Sequence, residues 1–387
     1  MIAAIALGLF AGLFITAFMN GMVEAKIDSA TKSELSHIQV HAPHFLDNNE
    51  IELFISDTPP LVEKLESVEN VVAVSPRLVA EPFVMAAHGT GGGKLLGIDI
   101  EKEKQVTDIC ERLIDGTYLE KSSRMPPVLI GEKLAEKLKL KVGSKINVQI
   151  VDRTGYLSAK GYRVSGVYKT QSTTFDETHL FVRFQDLKKQ LGMDDNTAHE
   201  IAMVLESGDK AEAVKSSVQQ IAANLEVKTW KELSPEISML TTMMDQYMYI
   251  FILIILLGLC FGIINTMLMA VLERTKEIGM LMAVGMNKKR IFRMIILESV
   301  MLTLTGGVFG IILGTVFTKI FEHNPIDLSM VSAGMEKYGF STEVYTSLPT
   351  ESLGIIIFLV VLTGLISAVY PARKALKLNP AEATRSE

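Results

Sequence analysis

Four stretches of the chain are almost free of charge, and the rest of the sequence is arranged between them. Ile2–Met22, Met248–Leu272 and Leu353–Tyr370 hold no Asp, Glu, Lys or Arg, and Met294–Phe317 holds only Glu298. A helix needs about 20 residues to cross about 30 Å of hydrocarbon, so each stretch is long enough, the last one barely. Lipid offers backbone polar groups no partner, so continuous apolar runs of this length predict helices. The pattern predicts an α-helical membrane protein with four transmembrane helices and a large α+β extracytoplasmic domain inserted between helices 1 and 2. The expected segments are helix 1 over 1–23, the inserted domain over 24–246, helix 2 over 247–272 and a polar connection over 273–293. Helix 3 follows over 294–319, a loop over 320–350, helix 4 over 351–371 and a tail over 372–387.

The first run needs separating from a secretory signal, which has a basic start and an apolar core of only ~7–15 residues. Here the run is longer and no basic residue precedes it, so it is read as an uncleaved span; the missing basic flank leaves open a start upstream of Met1. Basic residues then orient the chain. Arg274, Lys276, Lys288, Lys289, Arg290 and Arg293 gather in the 273–293 connection, and Arg373, Lys374, Lys377 and Arg385 in the tail. The 320–350 loop has Lys337 against Glu322, Asp327, Glu336 and Glu343. The connection and both termini are therefore expected in the cytosol, and the large domain and the acidic loop outside.

Inside the inserted segment the period changes. Within Ser36–His41, His37-Ile38-Gln39-Val40 alternates polar and apolar as a half-buried strand does. Pro59-Pro60 opens a short helix, Leu61–Ser67, and Val71–Val74 follows as a strand ended by Ser75-Pro76. The order recurs. Glu200–Leu205 reads as a strand, Ser207-Gly208-Asp209 as a turn, Ala211–Leu225 as a helix and Val227–Trp230 as a strand. Two such units, from about 24–127 and 199–246, predict one sheet with helices on a single face. Between them, about 128–198 reads as a β-rich insert, with a helix at Gly131–Leu138 and a strand at Lys145–Val151. A hairpin tip at Asp152–Lys160, a returning strand Tyr162–Tyr168 and a strand Phe181–Phe184 complete it. Met19-Asn20-Gly21 is read as the end of the first helix.

Candidate chemistry is sparse. Gly89-Thr90-Gly91-Gly92-Gly93-Lys94 has the glycines of a phosphate loop without its spacing, since His88 stands five before Gly93 and Leu95 follows the lysine. It is read as a flexible hairpin tip. His37, His41, His44, His88, His179, His199 and His323 show no metal-ligand spacing and are expected to be exposed or to contact a partner. Cys110 and Cys260 fall in different segments and are not expected to pair. No catalytic, cofactor-binding or metal-binding residue is assigned, the chain is not expected to be an enzyme, and no nucleic-acid partner is expected.

The apolar runs carry more. Gly306, Gly310 and Gly314 recur every four residues, as do Gly258 and Gly262, and place small residues on one helix face. Packing within the chain and a seam with a second chain explain this equally well. Glu298 lies about 7 Å inside its span, where a carboxylate calls for a partner; Arg274 and Arg293 are the candidates. The connection Glu273–Gly285, ERTKEIGMLMAVG, is predicted to be a short amphipathic helix. Ile278, Leu281, Met282 and Gly285 fall on one face, with Arg274, Lys276 and Glu277 largely elsewhere. Membrane lipids or a protein partner would suit it equally.

Glu273-Arg274, Glu277-Ile278-Gly279, Leu281, Ala283 and Gly285, followed by Glu298 and Gly306-Gly307, resemble the FtsX-like permease domain of type VII ABC transporters. The tail, Pro371-Ala372-Arg373, Ala375 and Pro380-Ala381-Glu382-Ala383, is similar to that domain's ending. The resemblance implies a permease working as a homo- or heterodimer with separate ABC ATPase subunits. Those subunits bind the ATP and Mg and grip the short helix, making Glu273, Arg274, Lys276, Glu277, Ile278, Gly279, Leu281, Ala283 and Gly285 the coupling residues. In the inserted domain, Met19-Asn20-Gly21, His37-Ile38, Gly97-Ile98-Asp99, Gly131 with Leu134-Ala135 and Leu138, and Val142-Gly143 look similar to the lipoprotein-releasing (Lol) permeases. That likeness implies lipoprotein cargo passed to a periplasmic chaperone. The Asp152–Lys160 hairpin falls where one Lol subunit carries a longer hook that captures the chaperone; here it is short and has no proline-rich tip. Two alternatives stand beside it: a macrolide- or peptide-efflux permease of the same mechanical type docking on a periplasmic adaptor, and, from another class, a signalling scaffold controlling a cell-wall hydrolase.

Overall fold

The computed structural model describes residues 2–120, 124–331, 334–335, 339–348 and 350–376. Glu336, Lys337, Lys377, Arg385 and the Pro380-Ala381-Glu382-Ala383 motif lie outside the described residues. The chain divides into two compact units, one of 25–239 with 329–342 and one of 1–24 with 240–328 and 343–387.

Helix α1 (Ile2–Ala30) runs straight through Met19-Asn20-Gly21, which corrects the expectation that the helix ends there. Gly21 serves close approach instead. A Cβ on it would lie 1.7 Å from the carbonyl oxygen of Tyr345, and the Ser347 N–H donates to the Ala17 carbonyl nearby at 2.9 Å. After Ala30 the helix loosens into a π-helical turn, Thr31–Leu35, which Ser36 closes with φ 55°.

The larger unit begins with β1 (Ile38–His41), α2 (Phe45–Asn48), α3 (Thr58–Glu66), β2 (Val71–Ala80), β3 (Phe83–Ala86), β4 (Gly89–Gly92), β5 (Lys94–Ile98) and α4 (Ile100–Val106). It continues through β6 (Leu113–Gly116), β7 (Pro127–Gly131), α5 (Glu132–Leu138), β8 (Lys145–Val151), β9 (Leu157–Tyr168), α6 (Thr173–Thr178), β10 (His179–Arg183) and α7 (Phe184–Leu191). It closes with β11 (Glu200–Leu205), α8 (Ala211–Ile221), β12 (Glu226–Thr229) and α9 (Trp230–Leu233). The strands form one sheet in the order β12-β1-β11-β2-β5-β10-β7-β9-β8-β3-β4, with β6 also on β9.

At one end, β1-α3-β2 and β11-α8-β12 interleave. Val62 and Leu65 of α3 and Val214 and Val218 of α8 bury the face that carries Ile38, Val40, Val74 and Ile201. Helices do not keep to that face alone, because Val106 of α4 packs against Ala73 and Ala202 on the other. Nor does Ser75-Pro76 end β2. Strand β5 joins β2 only from Arg77 onward, so Pro76 sits where β2 is paired on one side, a position at which a missing N–H is tolerated.

At the other end, α5 and α7 cover a second core around Val84, Leu95, Ile130, Val148, Tyr162 and Leu187. The β-rich part is larger than 128–198. Phe83–Met85 of β3 pair with Asn147–Gln149 of β8, and β5 runs antiparallel to β2 and parallel to β10, which fuses the two parts into one sheet. Gly89–Gly92 is strand β4 rather than a hairpin tip; the β3–β4 turn is Ala87-His88. The β8–β9 turn is tighter than expected, because Asp152 Oδ1 accepts from the N–H groups of Thr154 and Tyr156 and β9 resumes at Leu157.

The other unit holds α10 (Pro235–Glu273), α11 (Thr275–Ala283), α12 (Lys288–His323), the ribbon of β13 (Ile326–Asp327) with β14 (Glu343–Val344), and α13 (Thr350–Ala375). Stretches of α1, α10, α12 and α13 are long and apolar enough to cross a membrane. The 39 residues of α10 run about 58 Å, roughly twice the hydrocarbon thickness, so it extends well before Tyr247. Gly306, Gly310 and Gly314 lie against α1. Cβ atoms there would meet Ile5 Cβ at 2.9 Å, the Ala6 carbonyl oxygen at 2.8 Å and Leu13 Cδ1 at 2.7 Å. Gly258 and Gly262 are exposed and meet nothing within 4 Å, so the two glycine sets do different work.

Candidate functional site

Helix α11 forms because one residue breaks a long helix and one glycine stops a short one. Arg274, at φ −95° and ψ 19°, leaves the α10 conformation, and α11 starts at Thr275. At the far end Gly285 adopts φ 96°, its N–H donates to the Met282 carbonyl and the Met286 N–H to the Leu281 carbonyl. This is a Schellman ending, in which a left-handed residue lets two orphan carbonyls be satisfied. Asn287 then caps α12, its side chain accepting from the Lys289 N–H at 3.0 Å.

One side of α11 is anchored. Ile278 is buried with Val271 of α10, Ile291 and Ile295 of α12, and Ala372 and Ala375 of α13. Gly279 is buried beside it, while Leu281 and Met282 are half-buried. Gly285 does not share that face; it is exposed, because its role is to terminate the helix. Outward stand Glu273, Lys276, Glu277 and Ala283, together with Met280 and Val284, the last 84% exposed. Arg274 turns back, and its Nη1 donates to Glu298 Oε1 on α12 at 2.7 Å. Beside this ion pair a groove of about 390 Å³ opens between α10, α11 and α12, lined among others by Arg274, Glu277, Leu281, Met294, Glu298 and Met301. The site is therefore a short helix anchored by Ile278, with Met282 packed beside it, and flanked by an ion pair, presenting charges and bare methyl groups outward.

A second polar feature lies in the sheet, and no motif in the sequence announces it. Register places Glu226 of β12 opposite His41 of β1, His41 opposite Glu200 of β11, and Glu200 opposite Arg77 of β2. Arg77 Nη1 donates to Glu200 at 2.7 Å, while its Nε and Nη2 grip both oxygens of Glu103 on α4 at 3.1 and 2.7 Å. Ser75 also donates to Glu103, and Lys94 stands 3.8 Å from Glu200. Burial by itself would lower the Arg77 pKa, but the Glu103 and Glu200 carboxylates raise it above its ordinary value. Burial likewise works against the Glu200 charge, yet Lys94, Arg77 and His41 hold its pKa at about 2.

The expectation of exposed histidines holds for His44, His88 and His323 and is corrected for two others. His41 and His199 are fully buried and stack on the two faces of Phe45, with ring centroids 5.5 and 5.3 Å apart. His199 Nδ1 accepts from the Val79 N–H, leaving Nε2–H to donate to the Ile51 carbonyl, and burial lowers its pKa to about 4. One signal could have pointed to the network. Glu103 stands three residues from both Ile100 and Val106, on the apolar side of α4.

Among the described residues, four helices of membrane-crossing length mark a multi-pass membrane protein. Residues 1–221 match the MacB-like periplasmic core domain and residues 249–380 the FtsX-like permease C-terminal domain. The chain belongs to this MacB/FtsX family and is an ABC transporter permease with an extracytoplasmic domain. It is 28% identical over 70% of its length to an uncharacterized ABC transporter permease of Methanocaldococcus jannaschii, of which it covers 65%, just under two thirds. It is 21% identical to the lipoprotein-releasing system transmembrane protein LolC of Neisseria meningitidis, over 100% of this chain and 93% of that protein. It is 36% identical to the macrolide export ATP-binding/permease protein MacB of Chlorobium luteolum, over 33% of this chain and 16% of that one.

Proposed function

We propose that the chain is the permease subunit that transmits ATP hydrolysis on a separate ATPase subunit to its extracytoplasmic domain, and that it thereby releases acylated lipoproteins from the membrane. In this reading the 273–293 connection and both termini face the cytosol. The ATPase grips α11 through Glu273, Lys276, Glu277 and the exposed Met280 and Val284. An ATPase cycle biases the permease only through contacts that differ between its states. Ile278 and the Arg274–Glu298 pair then pass the displacement to α10, α12 and α13.

The extent of one likeness supports the lipoprotein cargo: LolC aligns with the whole chain, whereas the MacB of Chlorobium luteolum aligns with a third of it. The test is reconstitution of the chain with its ATPase in vesicles loaded with an acylated lipoprotein and an acceptor chaperone. ATP-dependent transfer of the lipoprotein to the soluble fraction is expected. Efflux of a macrolide or peptide with the lipoprotein left in the vesicles overturns the cargo assignment. The match of 1–221 to a MacB-like periplasmic core favours that second reading, in which an adaptor co-purifies with the chain. Co-purification of a cell-wall hydrolase would instead mark a signalling scaffold.

A further inference from the structure

Helix α1 enters the sheet through a short segment whose backbone is under strain. Ser36 is fully buried and holds φ 55° and ψ 178°, near a region that glycine alone occupies freely. His44, Asn49, Asp57 and Lys139 also have positive φ, but with ψ between 5° and 43° they lie in the milder left-handed helical region. Just before Ser36, Thr31–Leu35 winds as a π turn, with the Ser36 N–H donating to the Thr31 carbonyl at 2.9 Å. Wide turns of this kind in helices recur at functional sites. On either side the chain is stiff. Up to Ala30 it is regular helix. From His37 onward it is bonded on both flanks: the His37 N–H donates to Met203 and its carbonyl accepts from Trp230, both at 3.0 Å, and Ile38–His41 pair with β11 and β12.

Two sets of hydrogen bonds hold this segment, and both lead to the buried charges of the sheet. On one side Asp108, just past the end of α4, donates its N–H to the Lys32 carbonyl at 3.1 Å and accepts from Ser33 Oγ at 2.9 Å. The same helix carries Glu103, which Arg77 grips. On the other side the Gln39 amide donates to the Leu35 carbonyl at 2.8 Å. Its oxygen accepts from His41 Nε2 at 3.0 Å, and His41 stands opposite Glu200, the second carboxylate of Arg77. The path therefore runs from Ser33 through Arg77 and back to Leu35, and it brackets the strained turn. Strain persists where the surroundings over-determine it in this way.

We propose that Thr31–Ser36 is a two-state joint between α1 and the sheet, held in its strained state by this bracket and released when α1 is displaced. In the second state the turn rewinds with α-helical bonds and Ser36 leaves its strained conformation. A pull or twist on α1 has to be absorbed somewhere, and between a regular helix and a doubly paired strand this turn is the part that yields. The strain at Ser36 keeps the two states close in free energy, which is what lets a modest bias move the joint. Arg77 and its carboxylates thereby gain a second task beside stability, since they set how firmly the joint is held. The inference rests on the permease reading, in which an ATPase cycle displaces the membrane helices, and adds where α1 gives way.

The test is hydrogen exchange, read by mass spectrometry in the peptide covering Thr31–His37, on the full chain in lipid nanodiscs. Ser36→Gly relieves the strained state and disfavours the rewound one, so exchange there is expected to slow about tenfold. Ser36→Ala loses the same hydroxyl, which donates to the Ile38 carbonyl, but keeps the strain and is expected not to slow it. Gln39→Leu and Asp108→Ala each open one side of the bracket and are expected to speed exchange about tenfold. Equal slowing in Ser36→Ala and Ser36→Gly, or unchanged exchange in both bracket variants, overturns the proposal. With the ATPase added, exchange in this peptide is expected to differ between the nucleotide-free complex and one trapped with a non-hydrolysable ATP analogue. Equal exchange in the two complexes overturns the joint as a moving part of the cycle. A complex whose ATPase the chain does not stimulate strikes the permease reading instead, and the variants of the chain alone still decide the joint.

Discussion

The Arg274 guanidinium, at the break between α10 and α11, lies 2.7 Å from the Glu298 carboxylate on α12, so an ion pair joins the two long helices that flank α11. Both side chains are partly exposed at the edge of an apolar run, where a lone carboxylate is disfavoured and a paired one tolerated.

Removing one partner should therefore uncouple rather than unfold. Glu298→Gln and Arg274→Gln are each expected to lower permease-dependent ATPase stimulation several-fold in the reconstituted complex, with normal insertion and thermal stability. The exchange Arg274→Glu with Glu298→Arg should recover part of the stimulation. If neither single variant alters it, the pair has no part in coupling.

Arg77 compensates two buried carboxylates. Arg77→Met leaves Glu103 without its cation and Glu200 with only Lys94 at 3.8 Å, and is expected to cost about 3–5 kcal/mol. In a scanning calorimetry trace of the full chain this is a fall on the order of 10 °C in the transition of the extracytoplasmic domain. A shift under about 2 °C would show the network to be dispensable.

His199 makes stability depend on pH. Its pKa falls from 6.5 to about 4 on folding, so between those values the unfolded chain binds more protons and stability declines as pH drops. Protonation must also break the bond that Nδ1 accepts from Val79. His199 is expected to contribute a loss on the order of 3 kcal/mol across that window in denaturant unfolding, and His199→Gln should remove that share of the slope, leaving the part set by His179 and the other buried groups. Glu200, held at about 2, loses its contribution only lower, as pH falls from about 4.5 toward 2.

The two glycine sets should respond differently to bulk. Gly310→Leu forces α1 and α12 apart and is expected to destabilise the membrane helices by about 1–3 kcal/mol, read as lower detergent thermostability. Gly258→Leu meets nothing within 4 Å and should leave the thermostability of the single chain unchanged. Equal losses in both would contradict the packing.

Much of the membrane part was legible because its signal is compositional. A run of about 20 uncharged residues has few alternatives in lipid, and Glu298 inside such a run demanded a cation within reach. Ile278 fell on the apolar side of a short periodic stretch, and α10, α12 and α13 bury it. Helix ends were less readable. Met19-Asn20-Gly21 looked like a terminus because Asn and Gly favour ends, whereas tertiary contact with Tyr345 is the reason for Gly21.

The sequence by itself determined four apolar helices, a polar connection with its own helical period, and strand–helix–strand order at both ends of the inserted segment, since each depends on residues within one turn or one strand. Tertiary structure alone decided that Phe83–Met85 pairs with β8, that β5 joins both halves of the sheet, and that Glu226, His41, Glu200 and Arg77 form one row. It also decided which glycines meet α1 and which stay open. Strand pairing joins residues more than a hundred positions apart, and one glycine face looks like another until a second helix lies against it.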